Sequence, residues 1–281
     1  MIIVGVDDSA TSRRAVEWAA DDALRMRVPL RLVHAVDRSP YQIERFADPR
    51  LPDLMLREGR KLLDEAEQIV RQRQPSVEVE TSLAEGVPAE VLRREGDDAT
   101  ELVLGGRRLG GIAGALLGSV STRVAGHTRC PVVVVPAERR PVYGEVVVGV
   151  DDSPECEPAL AYAFEQARLR GSRLRAVHAW QLPVHAFAPE ATYDMDEVRT
   201  ARQQLVSDRL ARFGRRHPDV QVVEDVHCAD PVNALTDAGE HADLLVVGSH
   251  GRGAVASLVL GSVSRGTLRH ARCPVAVVRP H

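Results

Sequence analysis

The stretch IIVGVDDS, Ile2–Ser9, returns as VVVGVDDS at Val146–Ser153, 144 residues further on. Each copy is a β-branched apolar run closed by two aspartates and a serine, the pattern of a short strand buried on both faces that runs into a polar turn. LVHAV (Leu32–Val36) recurs as AVHAW (Ala176–Trp180) at the same spacing. From Pro75 and Pro218 onward the spacing is 143: ELVLGG at Glu101 pairs with DLLVVGS at Asp243, LGSVS with LGSVS, and HTRCPVVVV with HARCPVAVV. One residue has been lost between the second strand and Pro218. A repeat of this length is too long for a solenoid unit and has the size of a whole domain. The chain of 281 residues is therefore read as two domains, 1–137 and 145–281, with a linker of 138–144 beside the proline-bounded PAERRP.

Within each copy apolar runs alternate with amphipathic segments. Ile2–Val6, Leu30–Val36, Val77–Leu83, Leu102–Leu104 and Val132–Val135 are short and rich in Val, Ile and Leu, as central parallel strands should be. Between them, spacings such as Ala15, Ala19, Ala23 and Met26 give one apolar helical face. Alternation of this kind predicts an α/β fold, two tandem Rossmann-like domains each with a parallel sheet and helices on both faces. In the second copy Ser153-Pro154-Glu155 reads as N-cap, first-turn proline and first-turn acid, which predicts a helix directly after the strand.

A net charge of −4 and a pI near 6.2 give no general reason to expect nucleic acid or an anionic membrane as partner. The N-terminus enters a strand-like run at once, without the pattern of a secretory signal, and no apolar run has the length of a membrane span. Four cysteines, Cys130, Cys156, Cys228 and Cys273, do not make a dense disulfide framework. The expected location is the cytoplasm.

The chemistry concentrates in GSHGRGAVASLVLGSVS, Gly248–Ser264, which spaces glycines as Gly-x2-Gly-x9-Gly-Ser, and in its counterpart GGRRLGGIAGALLGSVS, Gly105–Ser121. The first glycine ends an apolar strand and the last opens a helix. Glycines there let backbone N–H groups approach an anion, and a helix N-terminus adds free amides and partial positive charge. Ser262 and Ser264 are expected to offer hydroxyls to the same oxygens. The pattern is also compatible with a tight strand-to-helix turn that holds no ligand. In the first copy Arg108 replaces the second glycine, Gly251, and either impairs the cradle or pairs with a phosphate itself. The sole lysine, Lys61, lies in a helical segment, so a Walker A loop is excluded. A Rossmann dinucleotide loop is excluded too, since the first strand leads to Asp-Asp-Ser without a glycine cluster.

The glycine spacing, the aspartate of VGVDDS and the closing CPVVVV strand together resemble the universal stress protein family in its tandem-domain form, over essentially the whole chain. The resemblance implies a five-stranded parallel sheet per domain in the order 3-2-1-4-5. It also implies ATP near the carboxyl ends of strands 1 and 4, with Mg2+ accompanying the phosphates, and final strands that pair between the domains, with a homodimer as a further option. Carried onto this chain, the nucleotide positions are Asp7, Ala35, Gly105, Arg108, Gly118, Ser119, Val120 and Ser121 in the first copy. In the second they are Asp151, Ala179, Gly248, Gly251, Gly261, Ser262, Val263 and Ser264. Ala35 and Ala179 rest on the resemblance alone, as backbone contacts to adenine.

Asp7 and Asp151 are assigned to ribose or to a phosphate-bound divalent ion, whereas a helix-start or Asx-turn role suits Asp8 and Asp152 better. His34 and His178 read as packed strand residues. His127-x-x-Cys130 and His270-x-x-Cys273 invite a zinc reading, but each histidine falls near a helix end and each cysteine opens a buried strand. The aromatic, proline-bearing segments with Tyr41, Phe46, Phe187 and Tyr193 serve either as lids or as plain crossovers. No lysine at the loop, no repeated acid poised as a base and no nucleophile elbow is found, so the expected function is nucleotide-dependent signalling without dedicated catalysis. A slow ATPase and a nucleotide-free dimerisation scaffold are the alternatives.

Overall fold

The computed structural model describes residues 1–38, 51–106, 118–153, 155–181, 194–251 and 260–280. The chain divides into two compact units, Met1–Arg139 and Arg140–Pro280. The first unit runs β1 (Ile2–Gly5), α1 (Ala10–Met26), β2 (Leu30–Val36), α2 (Leu51–Arg73), β3 (Val79–Glu85), α3 (Pro88–Gly96), β4 (Glu101–Gly105), α4 (Ser119–His127) and β5 (Val132–Val135). The second repeats it as β6 (Glu145–Gly149), α5 (Cys156–Arg170), β7 (Arg173–Trp180), α6 (Met195–Gly214), β8 (Val222–Cys228), α7 (Pro231–Gly239), β9 (Leu244–Gly248), α8 (Ser262–His270) and β10 (Val275–Val278).

Each unit is a five-stranded parallel sheet, ordered β3-β2-β1-β4-β5 in the first and β8-β7-β6-β9-β10 in the second. The registers repeat: Ile2 lies opposite Leu30 and Glu101, and Val146 opposite Leu174 and Leu244. This is the strand order expected, and its cause is the distribution of apolar surface. Ile2, Ile3, Val4, Leu102 and Val103 are buried, as are Val146–Val148 and Leu244–Val246, because helices cover both sheet faces. In the first unit α1 packs with α2 on one face and α3 with α4 on the other. Right-handed crossovers require this, since the chain steps outward to β3 with helices on one side and returns to β4 and β5 with helices on the other.

The two copies differ in their turns. Helix α1 ends on Arg27, held in the left-handed region at φ 56°, where α5 ends on Gly171 at φ 62°. The arginine costs about 1 kcal/mol that the glycine avoids. Before α3, Gly86 takes φ 135°. In the second copy Ala229 donates the same backbone hydrogen bond, to Trp180 as Gly86 does to Val36, and Asp230 then caps α7 through the amides of Val232 and Asn233. Helix α1 begins on a capping serine, Ser9, whose side chain accepts from the Ser12 amide. Helix α5 does not: it starts at Cys156 with Glu155 at the N-cap and no side-chain cap. The hydroxyl of Ser153, expected to cap it, donates instead to Asp151, 2.6 Å away.

Candidate functional site

Between β1 and β4, and again between β6 and β9, neighbouring strands leave for opposite faces of the sheet, and a crevice opens at their carboxyl ends. What lines it is decided by three short backbone segments.

The first follows β6. Val150 accepts a hydrogen bond from His178 Nδ1 at 2.7 Å, and in the first unit Val6 accepts one from His34 Nδ1 at 2.7 Å. Both histidines are thus packed strand residues, each with its tautomer set by a carbonyl that can only accept. One residue on, Asp151 Oδ1 accepts from the Ser153 amide at 3.0 Å and from the Ser153 hydroxyl. Asp7 Oδ1 accepts in the same way from the Ser9 amide at 2.9 Å and from the Ser9 hydroxyl. The Asx turn therefore belongs to Asp7 and Asp151, and its assignment to Asp8 and Asp152 is corrected. A carboxylate directly at the strand end reaches the amide two residues on, which is the geometry an Asx turn needs. Using Oδ1 in the turn fixes where Oδ2 points.

In the second unit Asp151 Oδ2 lies against Gly251. A Cβ on Gly251 would stand far inside van der Waals contact with that oxygen. The second glycine of the spacing thus lets the backbone approach the carboxylate closely, and a side chain there would displace that oxygen. Arg108, its counterpart, lies outside the described residues, as do the segments carrying Tyr41, Phe46, Phe187 and Tyr193.

The third segment joins the loop to its helix. Ser249, fully buried, accepts from the Gly261 amide at 2.8 Å and from the Ser264 hydroxyl at 2.9 Å, so one carbonyl ties the two ends of the loop together. Gly261 (φ −64°, ψ 163°) opens α8 without a side-chain cap. The amides of Ser262, Val263 and Ser264 occupy the first turn, where no intrahelical acceptor exists. Ser262 is exposed and Val263 half-buried. Ser264 is buried and its hydroxyl is used on Ser249 and Gly261, so the expectation that it serves an anion is corrected to its backbone amide alone. In the first unit Ser121 is likewise buried, with its hydroxyl donating to the Gly118 carbonyl and accepting from the Gly118 amide. Ser119 is exposed and Val120 half-buried at that helix start.

The remaining positions stand apart in character. Gly105 ends β4 with its Cα against α1: an added Cβ would meet Thr11 C at 2.7 Å and Ser12 N at 2.8 Å. Its counterpart Gly248 would meet only His250 O at 3.2 Å and Glu155 O at 3.6 Å. Ala35 and Ala179 are half-buried near the ends of β2 and β7, opposite Ala84 and His227. His127 and His270 are the exposed last residues of α4 and α8, while Cys130 and Cys273 are buried, and His127 Nδ1 is bonded to the Arg123 carbonyl. Among the described residues no group of three or more His, Cys, Asp or Glu could hold a metal ion. No helix among them is long and apolar enough to cross a membrane.

Two contributors were not visible in the sequence. Ser249 acts through its carbonyl, and the other copy has Gly106 there, so side-chain identity carries no signal. Cys156 sits where the first unit has Ser12, which accepts the Asp7 amide at 3.0 Å. Burial pushes the Cys156 thiol up to about 11 despite a backbone amide from Asp151, and burial pushes Cys130 and Cys273 up to about 12. Alkylation of the native protein at pH 8 should therefore label exposed Cys228 and spare the other three until denaturant is added, read by mass spectrometry. The neutral thiols also link folding to pH. Their contribution is complete below the ordinary thiol value of 9.0 and is lost as pH rises from there towards about 11 for Cys156 and about 12 for Cys130 and Cys273. Thermal unfolding should steepen its decline above pH 9 in the parent and less so in Cys130→Ala.

Residues 1–136 and 143–279 each match the family model of the universal stress protein family. Universal stress protein Rv2623 of Mycobacterium tuberculosis is 38% identical over 291 residues, covering 99% of this chain and 96% of that protein. Universal stress protein Rv1996 of the same organism is 36% identical over 304 residues, covering 99% and 94%. A universal stress protein of Archaeoglobus fulgidus has the same fold, with a TM-score of 0.73 at 20% identity over 99% of this chain and 96% of that one. The chain belongs to the universal stress protein family.

Proposed function

We propose that the protein binds ATP in the crevice of its second unit, and acts as a nucleotide-dependent stress or signalling protein without dedicated catalysis. The observation that carries the reading is the uncapped start of α8 at Gly261, set against His250, with the next residue, Gly251, set against the Asp151 carboxylate. Three first-turn amides and a helix dipole suit phosphate oxygens, and the absence of a Cβ at Gly251 leaves backbone at the carboxylate. A carboxylate with one oxygen outside the turn also suits Mg2+, which keeps most of its water and is held by one or two carboxylates together with phosphates. The bound ion would supply charge neutralisation of the phosphates, while Asp151 would orient it or hydrogen-bond a ribose hydroxyl. Ala179 and, in the first unit, Ala35 are the positions proposed to face adenine through their backbone. The first unit is proposed as a second site built from Asp7, Gly118 and the start of α4.

The test is to denature purified protein, quantify the released adenine nucleotide per chain, and titrate nucleotide-free protein with ATP by calorimetry. Retained or rebinding ATP with negligible turnover is expected. Absence of nucleotide and of any binding heat for ATP or AMP would replace this reading with a nucleotide-free scaffold. Substantial turnover that disappears in Asp151→Asn would replace it with an ATPase.

A further inference from the structure

Helix α6 reaches the turn that holds Asp151. Arg209 Nη1 donates to the Ser153 carbonyl at 2.9 Å and Arg209 Nη2 to the Asp152 carbonyl at 2.6 Å. On the same helix Arg202 Nη1 stands 3.8 Å from Asp152 Oδ2, and Arg212 pairs with Glu157 at the start of α5. A guanidinium is a rigid planar fork, so two parallel bonds to consecutive carbonyls fix the orientation of both peptide groups. Those peptides lead directly out of Asp151, whose Oδ1 is held by the Ser153 amide and hydroxyl. The chain Arg209, Ser153, Asp151 thus ends on Oδ1 of the carboxylate whose other oxygen, Oδ2, faces Gly251.

The first unit is built differently at the same place. The backbone bonds that close the two helices, Gln74 to Val70 and Val77 to Gln74 in the first unit and His217 to Phe213 and Val220 to His217 in the second, match Val70 of α2 with Phe213 of α6, which puts Ala66 where Arg209 stands. A methyl group has no proton to give a carbonyl, so Ala66 cannot hold the turn after Asp7 in this way. Its neighbour Glu65 pairs with Arg13 on α1 at 3.7 Å, beside a groove lined by Val6, Asp7, Ser12, Arg13, Glu65 and Ala66. The charges across the helix pair are exchanged relative to the second unit, where Glu157 on α5 meets Arg212 on α6.

We propose that Arg209 is a positioning residue of the second nucleotide site: its two bonds to the Asp152 and Ser153 carbonyls hold the Asp151 carboxylate in its binding orientation, a constraint that Ala66 cannot supply in the first unit. The binding half of this proposal rests on the nucleotide reading above; the positioning half does not. The second site is consequently the preorganised one, and its advantage comes from α6, outside the glycine loop and the strand ends.

The test uses full-length Arg209→Gln and Arg209→Lys, alone and combined with Asp151→Asn, with folding checked by circular dichroism. In nucleotide-free protein, hydrogen exchange at the Ser153 amide should speed about tenfold in Arg209→Gln, since a charge-assisted bond pair is lost. It should return most of the way in Arg209→Lys, which keeps the charge and a donor. ATP affinity should fall about tenfold in Arg209→Gln, recover in Arg209→Lys, and be unaffected by Arg209→Gln once Asp151→Asn is present. Unchanged exchange in Arg209→Gln overturns the positioning role, and Arg209→Met, which keeps the length and loses every donor, gives the same reading should Arg209→Gln not fold. Losses of affinity that add with Asp151→Asn overturn it as well, because a merely structural arginine would not act through that carboxylate. Faster exchange in a protein that binds no ATP upholds the positioning role and overturns the nucleotide reading.

Discussion

Gly261→Glu should abolish tight nucleotide binding in the second unit. The glycine sits at φ −64°, within reach of any L-residue, and its nearest obstacles are Ser249 O at 3.3 Å and His250 Cα at 3.4 Å. The backbone therefore admits the substitution with small adjustment, and the effect is electrostatic. The new carboxylate stands at the start of α8, where it captures the helix dipole and repels phosphate. Two unit charges about 4 Å apart near a protein surface repel by about 4 kcal/mol, and solvent screening lowers this, so affinity should fall about a hundredfold or more. Calorimetric titration and nucleotide release on denaturation both read it. The matching Gly118→Glu should remove a second and weaker site in the first unit. Unchanged nucleotide stoichiometry in both variants would overturn the site assignment.

Gly105→Ala should destabilise the protein, whereas Gly248→Ala should not do so to a comparable degree. The two glycines are equivalent in the repeat and end equivalent strands, β4 and β9. Their surroundings are not equivalent. A methyl group on Gly105 meets the backbone of Thr11 and Ser12 at 2.7 to 2.9 Å, and backbone in the first turn of a buried helix cannot swing aside. Overpacking of this kind costs about 1–3 kcal/mol, or a fall in Tm of roughly 4 °C for each kcal/mol in a unit of this size. On Gly248 the nearest atom is a loop carbonyl at 3.2 Å, which adjusts at lower cost. Differential scanning calorimetry of the two variants should separate them, and equal losses would show that the close approach of α1 to Gly105 is not what constrains that position.

These contrasts locate the limit of what the repeat could say. Helix placement and the duplication were legible because they follow from apolar periodicity and from self-similarity, both properties of residue type, whereas the strand order was legible only through the family resemblance. The strand ends were less so: the third strand begins at Val79 in place of Val77 and runs to Glu85, since a ladder ends where its neighbour Val36 does. The glycine spacing located the strand end and the helix start of the site. It could not separate a glycine packed against backbone, Gly105, from one that lies beside a carboxylate, Gly251. Nor could it tell the hydroxyl of exposed Ser262 from that of Ser264, which is buried against the Ser249 carbonyl.

The sequence by itself determined the α/β architecture and the two units, because strand and helix periods and a whole-domain repeat survive in one dimension; it pointed to a site at the ends of the first and fourth strands only through the family resemblance. Only the tertiary structure decided which atoms face that site. The Asx turn that spends Oδ1 of Asp151, the carbonyl of Ser249 that closes the loop, and the fork of Arg209 on the turn each depend on backbone direction. Backbone groups are the same at every residue, so their orientation is written in the packing of α5, α6 and β6 and leaves no mark on the sequence.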